Sequence, residues 1–220
     1  MRLFSDSIGR KVVMAITGTL MILFVIGHLL GNLTIFAGPN GINNYAVHLH
    51  ELAPLVWGTR IVMGAAVVLH LFLSILITYE NAEAKPDRYA VQNSLRATFA
   101  SKNMIWTGVI LGAFIIWHLL QFTFRVTPGL VIAFDAMNRF DVYRMVVAAL
   151  GGFFTGLAYV VAMISLFLHL SHGIQSVFQT FGLSNGFLLP RWGLIGKVLA
   201  VIFLVGFGAI PAVILAGILS

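Results

Sequence analysis

The sequence predicts an all-α membrane protein with five transmembrane helices, and three observations carry that prediction. Of its 220 residues, 60% are hydrophobic and only 9% are charged, a balance far outside that of soluble domains. The thirteen Lys and Arg and seven Asp and Glu are bunched between long stretches that hold none, so they cannot cover a globular surface. The apolar runs between them are near the ~20 residues that a helix needs to cross a hydrocarbon core. A soluble enzyme, a disordered tail and a nucleic-acid binder are excluded together. The pI of about 10.1 reflects basic residues beside apolar spans, which act as topology signals and lipid-headgroup contacts.

Taken in order, the spans are Val12–Phe36, Ile61–Tyr79, Met104–Phe124, Met145–Leu170 and Val198–Leu219. They make residues 1–220 a single integral-membrane domain. The opening MRLFSDSIGRK is polar and basic. The apolar run behind it is too long for a secretory signal and lacks a small-x-small cleavage site, so it stays as a helix. The connections are Gly38–Trp57, Glu80–Asn103, Arg125–Arg144 and a Gly-rich stretch Gly173–Lys197, none long enough for a second domain. Within the first, GINNYAVHLHELAPLVW (Gly41–Trp57) is too polar to span and reads as a short interfacial helix.

Orientation follows from the basic residues. Arg2, Arg10, Lys11, Lys85, Arg88, Arg96, Lys102, Arg191 and Lys197 fall on one side, nine of the thirteen, against Arg60, Arg125, Arg139 and Arg144 on the other. The excess puts the N-terminus in the cytoplasm. With an odd number of spans, the C-terminus is then outside.

Seven histidines are present: His28, His48, His50, His70, His118, His169 and His172. Four lie in predicted spans, one in each of the first four. A single intramembrane His is often an interhelical hydrogen bonder, but one per helix is a pattern. His28 lies 17 residues beyond Lys11 and His118 lies 16 beyond Lys102, about 25 and 24 Å of helix, so these two share a level near the outer face. The second and fourth spans run the other way; His70 comes ten residues before Glu80 and His169 near the inner end of its span, so they belong to the inner half. Two pairs at two depths, each drawn from two helices, suit bis-imidazole haem ligation in a four-helix core.

An internal repeat supports the pairing: Phe24-Val-Ile-Gly-His28-Leu-Leu30 matches Phe114-Ile-Ile-Trp-His118-Leu-Leu120, and Leu69-His70-Leu71 matches Leu168-His169-Leu170. With no cysteine, disulfides, zinc–thiolate sites, iron–sulfur ligation and thioether haem attachment are all impossible within the chain. Zinc or copper would accept imidazole but would recruit further ligands, and the spans hold no Asp or Glu near the four His. Haem b supplies four equatorial nitrogens of its own and needs only two axial imidazoles, so the first four helices are expected to form a haem-binding bundle. Small residues nearby (Gly27, Gly31, Gly64, Ala65, Gly112, Gly151, Gly152, Gly156 and Gly173) would make room for a porphyrin or, equally, for tight helix packing.

At these residues the chain resembles, over essentially its whole length, the di-haem cytochrome b anchor of the succinate dehydrogenase and quinol:fumarate reductase family, in its five-helix, single-subunit form. The resemblance rests on IGHLLGN, VLHLFLS, IWHLLQ and LFLHLSHG in order, and on the tail His169-Leu-Ser-His-Gly173-Ile-Gln-Ser-Val-Phe-Gln-Thr-Phe-Gly182. The family's ligand His stands four residues before one Gly and thirteen before another, which His169 satisfies and His172 does not. The resemblance implies an inner haem on His70 and His169 and an outer haem on His28 and His118. It also implies a flavoprotein partner with FAD, an iron–sulfur partner subunit, and a place in the bacterial cytoplasmic membrane. One departure is Phe167, where some members carry a glutamate implicated in a proton path. Glu51 falls close to an acidic residue that such enzymes place at the quinol site.

The expected activity is electron transfer from succinate, through FAD and iron–sulfur clusters in the partners, across the two haems to a membrane quinone, or the reverse with fumarate. Menaquinone is favoured, because its low potential makes succinate oxidation uphill and the membrane field, ~2.3 kcal/mol per charge per 100 mV, would help. Tyr45, His48, His50 and Glu51 are the candidates for the quinone site; a solvated interfacial loop or a haem-propionate contact would explain them as well. Two other classes stay open: the di-haem anchor of a different dehydrogenase, and a His-lined transporter without haem. A transporter would be expected to carry broken helices or intramembrane carboxylates.

Overall fold

The computed structural model describes residues 6–84 and 98–220. Among them five helices are long and apolar enough to cross a membrane, which makes this a multi-pass membrane protein. Arg2, Lys85, Arg88 and Arg96, used above to orient the chain, lie outside the described residues.

Helix α1 (Ser7–Leu33) begins more than a turn before the predicted Val12, because Asp6 caps it: the carboxylate accepts the Gly9 N–H at 2.6 Å and satisfies a donor that the first turn leaves without an intrahelical partner. Its 27 residues measure about 40 Å. A tight 3-10 turn over Thr34–Ala37 follows, and Gly38, at φ 78°, reverses the chain into α2 (Gly38–Glu51). The polar segment expected at the interface is therefore helical, but its helix stops at Glu51 rather than running to Trp57. Leu52 breaks it, and Pro54 stands in the first turn of α3 (Ala53–Glu83), where a missing N–H costs nothing. After α4, a single turn at Phe99–Lys102, α5 (Met104–His118) runs to His118 and opens into a π-helical turn over Leu119–Thr123.

Two predicted boundaries are corrected. The run Met145–Leu170 is not one span: α6 (Val142–Gly151) ends at Gly152, whose backbone is extended (φ −68°, ψ 120°), and the membrane-crossing helix is α7 (Phe153–Thr180). Two consecutive glycines weaken the helix there, yet the apolar run continues through them, so hydropathy shows no break. The last helix, α8 (Leu188–Leu215), starts ten residues before the predicted Val198. Arg191 and Lys197 lie on the helix rather than in a loop; Arg191 folds its guanidinium back over the Phe187 ring at 3.2 Å and donates to the Phe187 carbonyl at 3.0 Å. Of the Gly-rich connection, Gly173–Thr180 belongs to α7.

α1 packs on α3, α3 on α5, α5 on α7 and α7 on α1. The four form a ring, with α1 facing α5 and α3 facing α7 across its diagonals. α8 lies outside the ring along α7 and α1, where Leu29, Leu170, Ile174, Ala200 and Phe203 are buried together. The approach is close: a methyl at Gly196 would stand 3.3 Å from Ile174 and from the Ser171 carbonyl, the small-residue contact on which helix association in lipid depends. Large apolar side chains elsewhere face outward, Phe154 at 84% exposure, as lipid contact requires.

The far face, where α1 ends and α8 finishes, is tied by polar groups. Asn43 of α2 is fully buried; its amide N–H groups donate to Asp135 at 3.2 Å and Asp141 at 3.1 Å, and its oxygen accepts the Tyr143 N–H at 3.0 Å. Arg139 pairs with Asp135 at 2.6 Å and reaches Asn40 and Asn44 on α2. The Arg139 guanidinium, with help from neighbouring N–H donors, holds the Asp135 carboxyl down to about 2 from its usual 3.8.

Candidate functional site

Each of the four ring helices carries one histidine toward the ring's interior, and the two diagonals bring them together in pairs. The His28 and His118 rings, from α1 and α5, have centroids 5.8 Å apart; those of His70 and His169, from α3 and α7, are 6.4 Å apart. These are the pairings read from the sequence. His172, three residues on, is half-buried on α7 and outside both pairs.

The two levels can be measured along three helices. Thr17, which touches His70, lies eleven residues before His28 on α1; Thr107, which touches His169, lies eleven before His118 on α5; Tyr159, which touches His118, lies ten before His169 on α7. All three place the levels about 15–17 Å apart.

Each imidazole has a fixed neighbour. His70 Nδ1 is 3.2 Å from Thr17 Oγ1 and 3.2 Å from the Met14 carbonyl, and His169 Nδ1 is 3.1 Å from Thr107 Oγ1. At the other level His118 Nδ1 is 3.1 Å from the Tyr159 hydroxyl, which donates onward to Gln121 Oε1 at 2.8 Å. The π-helical turn after His118 carries Gln121 to this buried position, as such widened turns often do beside functional groups. His28 differs: its Nε2 is 3.3 Å from the Asn32 amide nitrogen, four residues along the same helix. Phe24 and Phe207 flank His28, and Phe114 and Phe122 flank His118.

The arrangement suits a metal centre with two axial imidazoles. Metal–nitrogen bonds of ~2.0 Å on opposite sides of one ion, with each ring centre about 1 Å beyond its nitrogen, put the centroids ~6 Å apart, and both pairs stand close to that. Among the described residues no group of three or more His, Asp or Glu converges, so each pair offers two protein ligands and the remaining positions would fall to a macrocycle. Room for one is uneven. A methyl at Gly27, Gly64 or Gly173 would meet nothing within 4 Å, whereas one at Gly31 would strike the Tyr45 ring and one at Gly156 would meet Leu215 and the Leu150 carbonyl at 2.8 Å. Gly31 and Gly156 therefore serve helix packing.

The candidate quinone residues stand along α2 and do not converge as one group. The Tyr45 ring packs on Gly31. His48 and Glu51 pair at 3.2 Å with about two-thirds of each side chain exposed (70% and 66%), and His50 Nδ1 donates to the Ala46 carbonyl at 2.8 Å. Phe167 packs into the apolar cluster shared with α8. Hydropathy and histidine spacing do not single out Thr17, Gly18, Thr107, Gly108, Asn32, Gln121 and Tyr159. A signal for four of them was present: a Thr-Gly pair begins eleven residues before both His28 and His118.

No family model, curated protein or solved structure matches this chain.

Proposed function

We propose that the chain is the membrane anchor and electron conduit of a succinate:quinone oxidoreductase, holding two b haems between an iron–sulfur partner subunit and the membrane quinone pool. The observation that supports this reading best is the diagonal pairing of four histidines at two levels about 15–17 Å apart, at spacings of 5.8 and 6.4 Å. His70 and His169 would hold the haem nearer the N-terminal face, His28 and His118 the haem nearer the far face. When bound, each haem supplies a one-electron iron couple whose potential the axial ligands, their hydrogen bonds and burial tune.

The chain's own groups do the rest. Thr17, Thr107 and Tyr159 orient three of the four rings; Phe24, Phe114, Phe122 and Phe207 keep the outer level dry. At the far face, His48 and Glu51 form an exposed pair able to give and take the protons that quinone reduction requires near water. Menaquinone is the quinone of choice, with FAD and the iron–sulfur clusters in the partner subunits, the bacterial cytoplasmic membrane as the location and the N-terminus inside.

A succinate-reduced minus air-oxidised difference spectrum of the purified native complex, with a pyridine haemochrome count per chain, tests the reading. Two b haems, at least one reduced by succinate, are expected. Haem that ignores succinate would assign the chain to another dehydrogenase, and no haem would leave a His-lined transporter.

A further inference from the structure

The Thr-Gly pairs ahead of His28 and His118 act on the other two histidines. A hydroxyl has one proton. That of Thr17 points between two backbone carbonyls, Val13 and Met14, both 3.0 Å away, and that of Thr107 between Asn103 at 3.1 Å and Met104 at 3.0 Å. Carbonyls only accept, so a proton directed to them leaves each hydroxyl with lone pairs toward the imidazole beside it. With the hydroxyl protons directed there, the Nδ1 atoms of His70 and His169, at 3.2 and 3.1 Å, are the donors. For His70 a second acceptor agrees, the Met14 carbonyl at 3.2 Å from the same nitrogen. A neutral imidazole protonated at Nδ1 has its lone pair on Nε2.

The glycines complete the seat. A methyl at Gly18 would lie 3.4 Å from His70 Cε1 and one at Gly108 would lie 3.5 Å from His169 Cε1, so any side chain longer than alanine would meet the ring. Threonines bonded back into their own helix are common; here the same dipeptide, at the same offset in both halves of the repeat, receives the histidine of a neighbouring helix.

We propose that Thr17 and Thr107 are positioning residues that fix His70 and His169 as Nδ1–H tautomers with Nε2 free to ligate, an inference that rests on the two-haem reading. Outer partners of this kind orient a ligating imidazole and raise its basicity, and losing one typically costs 10–100-fold in metal affinity.

The test uses the full-length chain, produced with its partner subunits, as Thr17→Val, Thr17→Ser, Thr107→Val and Thr107→Ser. The rate at which each haem passes to excess apomyoglobin is followed together with each haem's low-spin electron paramagnetic resonance signal; His70→Ala identifies the inner signal. The valine variants are expected to release the inner haem 10–100-fold faster and to shift its signal. The outer haem, unchanged in the same sample, shows that the chain is folded, and serine restores the wild-type behaviour. Valine variants that hold the inner haem as wild type does, or lose both haems equally, or serine variants that behave like valine, overturn the proposal. A wild-type chain without haem overturns the two-haem reading itself, and this inference with it.

Discussion

At the level of His70 and His169 both imidazoles lean on a threonine from a neighbouring helix, whereas at the level of His28 and His118 one leans on a tyrosine and the other on an asparagine of its own helix. The first level is symmetric between the two halves of the repeat and the second is not. Tyr159 lies ten residues before His169, and the position ten before His70 is Arg60; Gln121 lies three after His118, and the position three after His28 is Gly31. Where Gln121 would have its counterpart, the Tyr45 ring of α2 fills the space. So one half closes its far end with a polar relay inside the ring, and the other closes it with a separate helix. The two levels also differ in which ring nitrogen is engaged. At His70, His169 and His118 the contact is at Nδ1, while at His28 the Asn32 amide covers Nε2, the nitrogen that the proposed haem would need.

On the proposed two-haem reading, the largest test of this difference removes a histidine. His70→Ala or His169→Ala is expected to abolish the inner haem alone, and His28→Ala or His118→Ala the outer haem alone, while His172→Ala keeps both, all read by haemochrome counts and split α-band spectra. Tyr159→Phe comes next. It strips a donor from Gln121 and an acceptor from His118, leaving buried polar atoms unpaired at about 1–3 kcal/mol, and thermal unfolding together with outer-haem retention should both fall while the inner haem stays. Asn32→Ala should act in the opposite sense. Freeing His28 Nε2 from one neutral hydrogen bond, worth ~1 kcal/mol, should strengthen outer-haem uptake about fivefold, measured by haemin titration of the haem-depleted full chain.

The smallest effect concerns the far-face knot. Asp135 is held down to about 2 from 3.8, so its contribution is full above pH 3.8 and is lost as pH falls toward 2. The stability difference between wild type and Asp135→Asn is expected to be constant at neutral pH and to vanish below about pH 2. Unfolding in detergent micelles across that range checks it.

Much of this was legible in sequence because the membrane simplifies the problem. Apolar length marks a span, and a histidine on an otherwise apolar helix stands out; depth arithmetic groups the four into the same two pairs whose rings stand 5.8 and 6.4 Å apart across the diagonals. What stayed hidden was of two kinds. The break at Gly152 and the early start of α8 leave hydropathy unchanged, since one lies inside an apolar run and the other is masked by Arg191 and Lys197 at a helix end. Thr17, Thr107, Tyr159 and Gln121 are ordinary interior residues of membrane helices, and only their position against a histidine of another helix makes them part of the site.

The knot around Asn43 also sets an order of events during synthesis. Its partners Asp135, Asp141 and Tyr143 lie 92, 98 and 100 residues downstream. At ~5–20 residues per second, α2 emerges roughly 5–20 s before the segment that satisfies it. Until then the Asn43 amide lacks the partners that satisfy it in the folded chain. The chain registers the arrival of its second half on the far face, through a side chain that the finished protein buries completely.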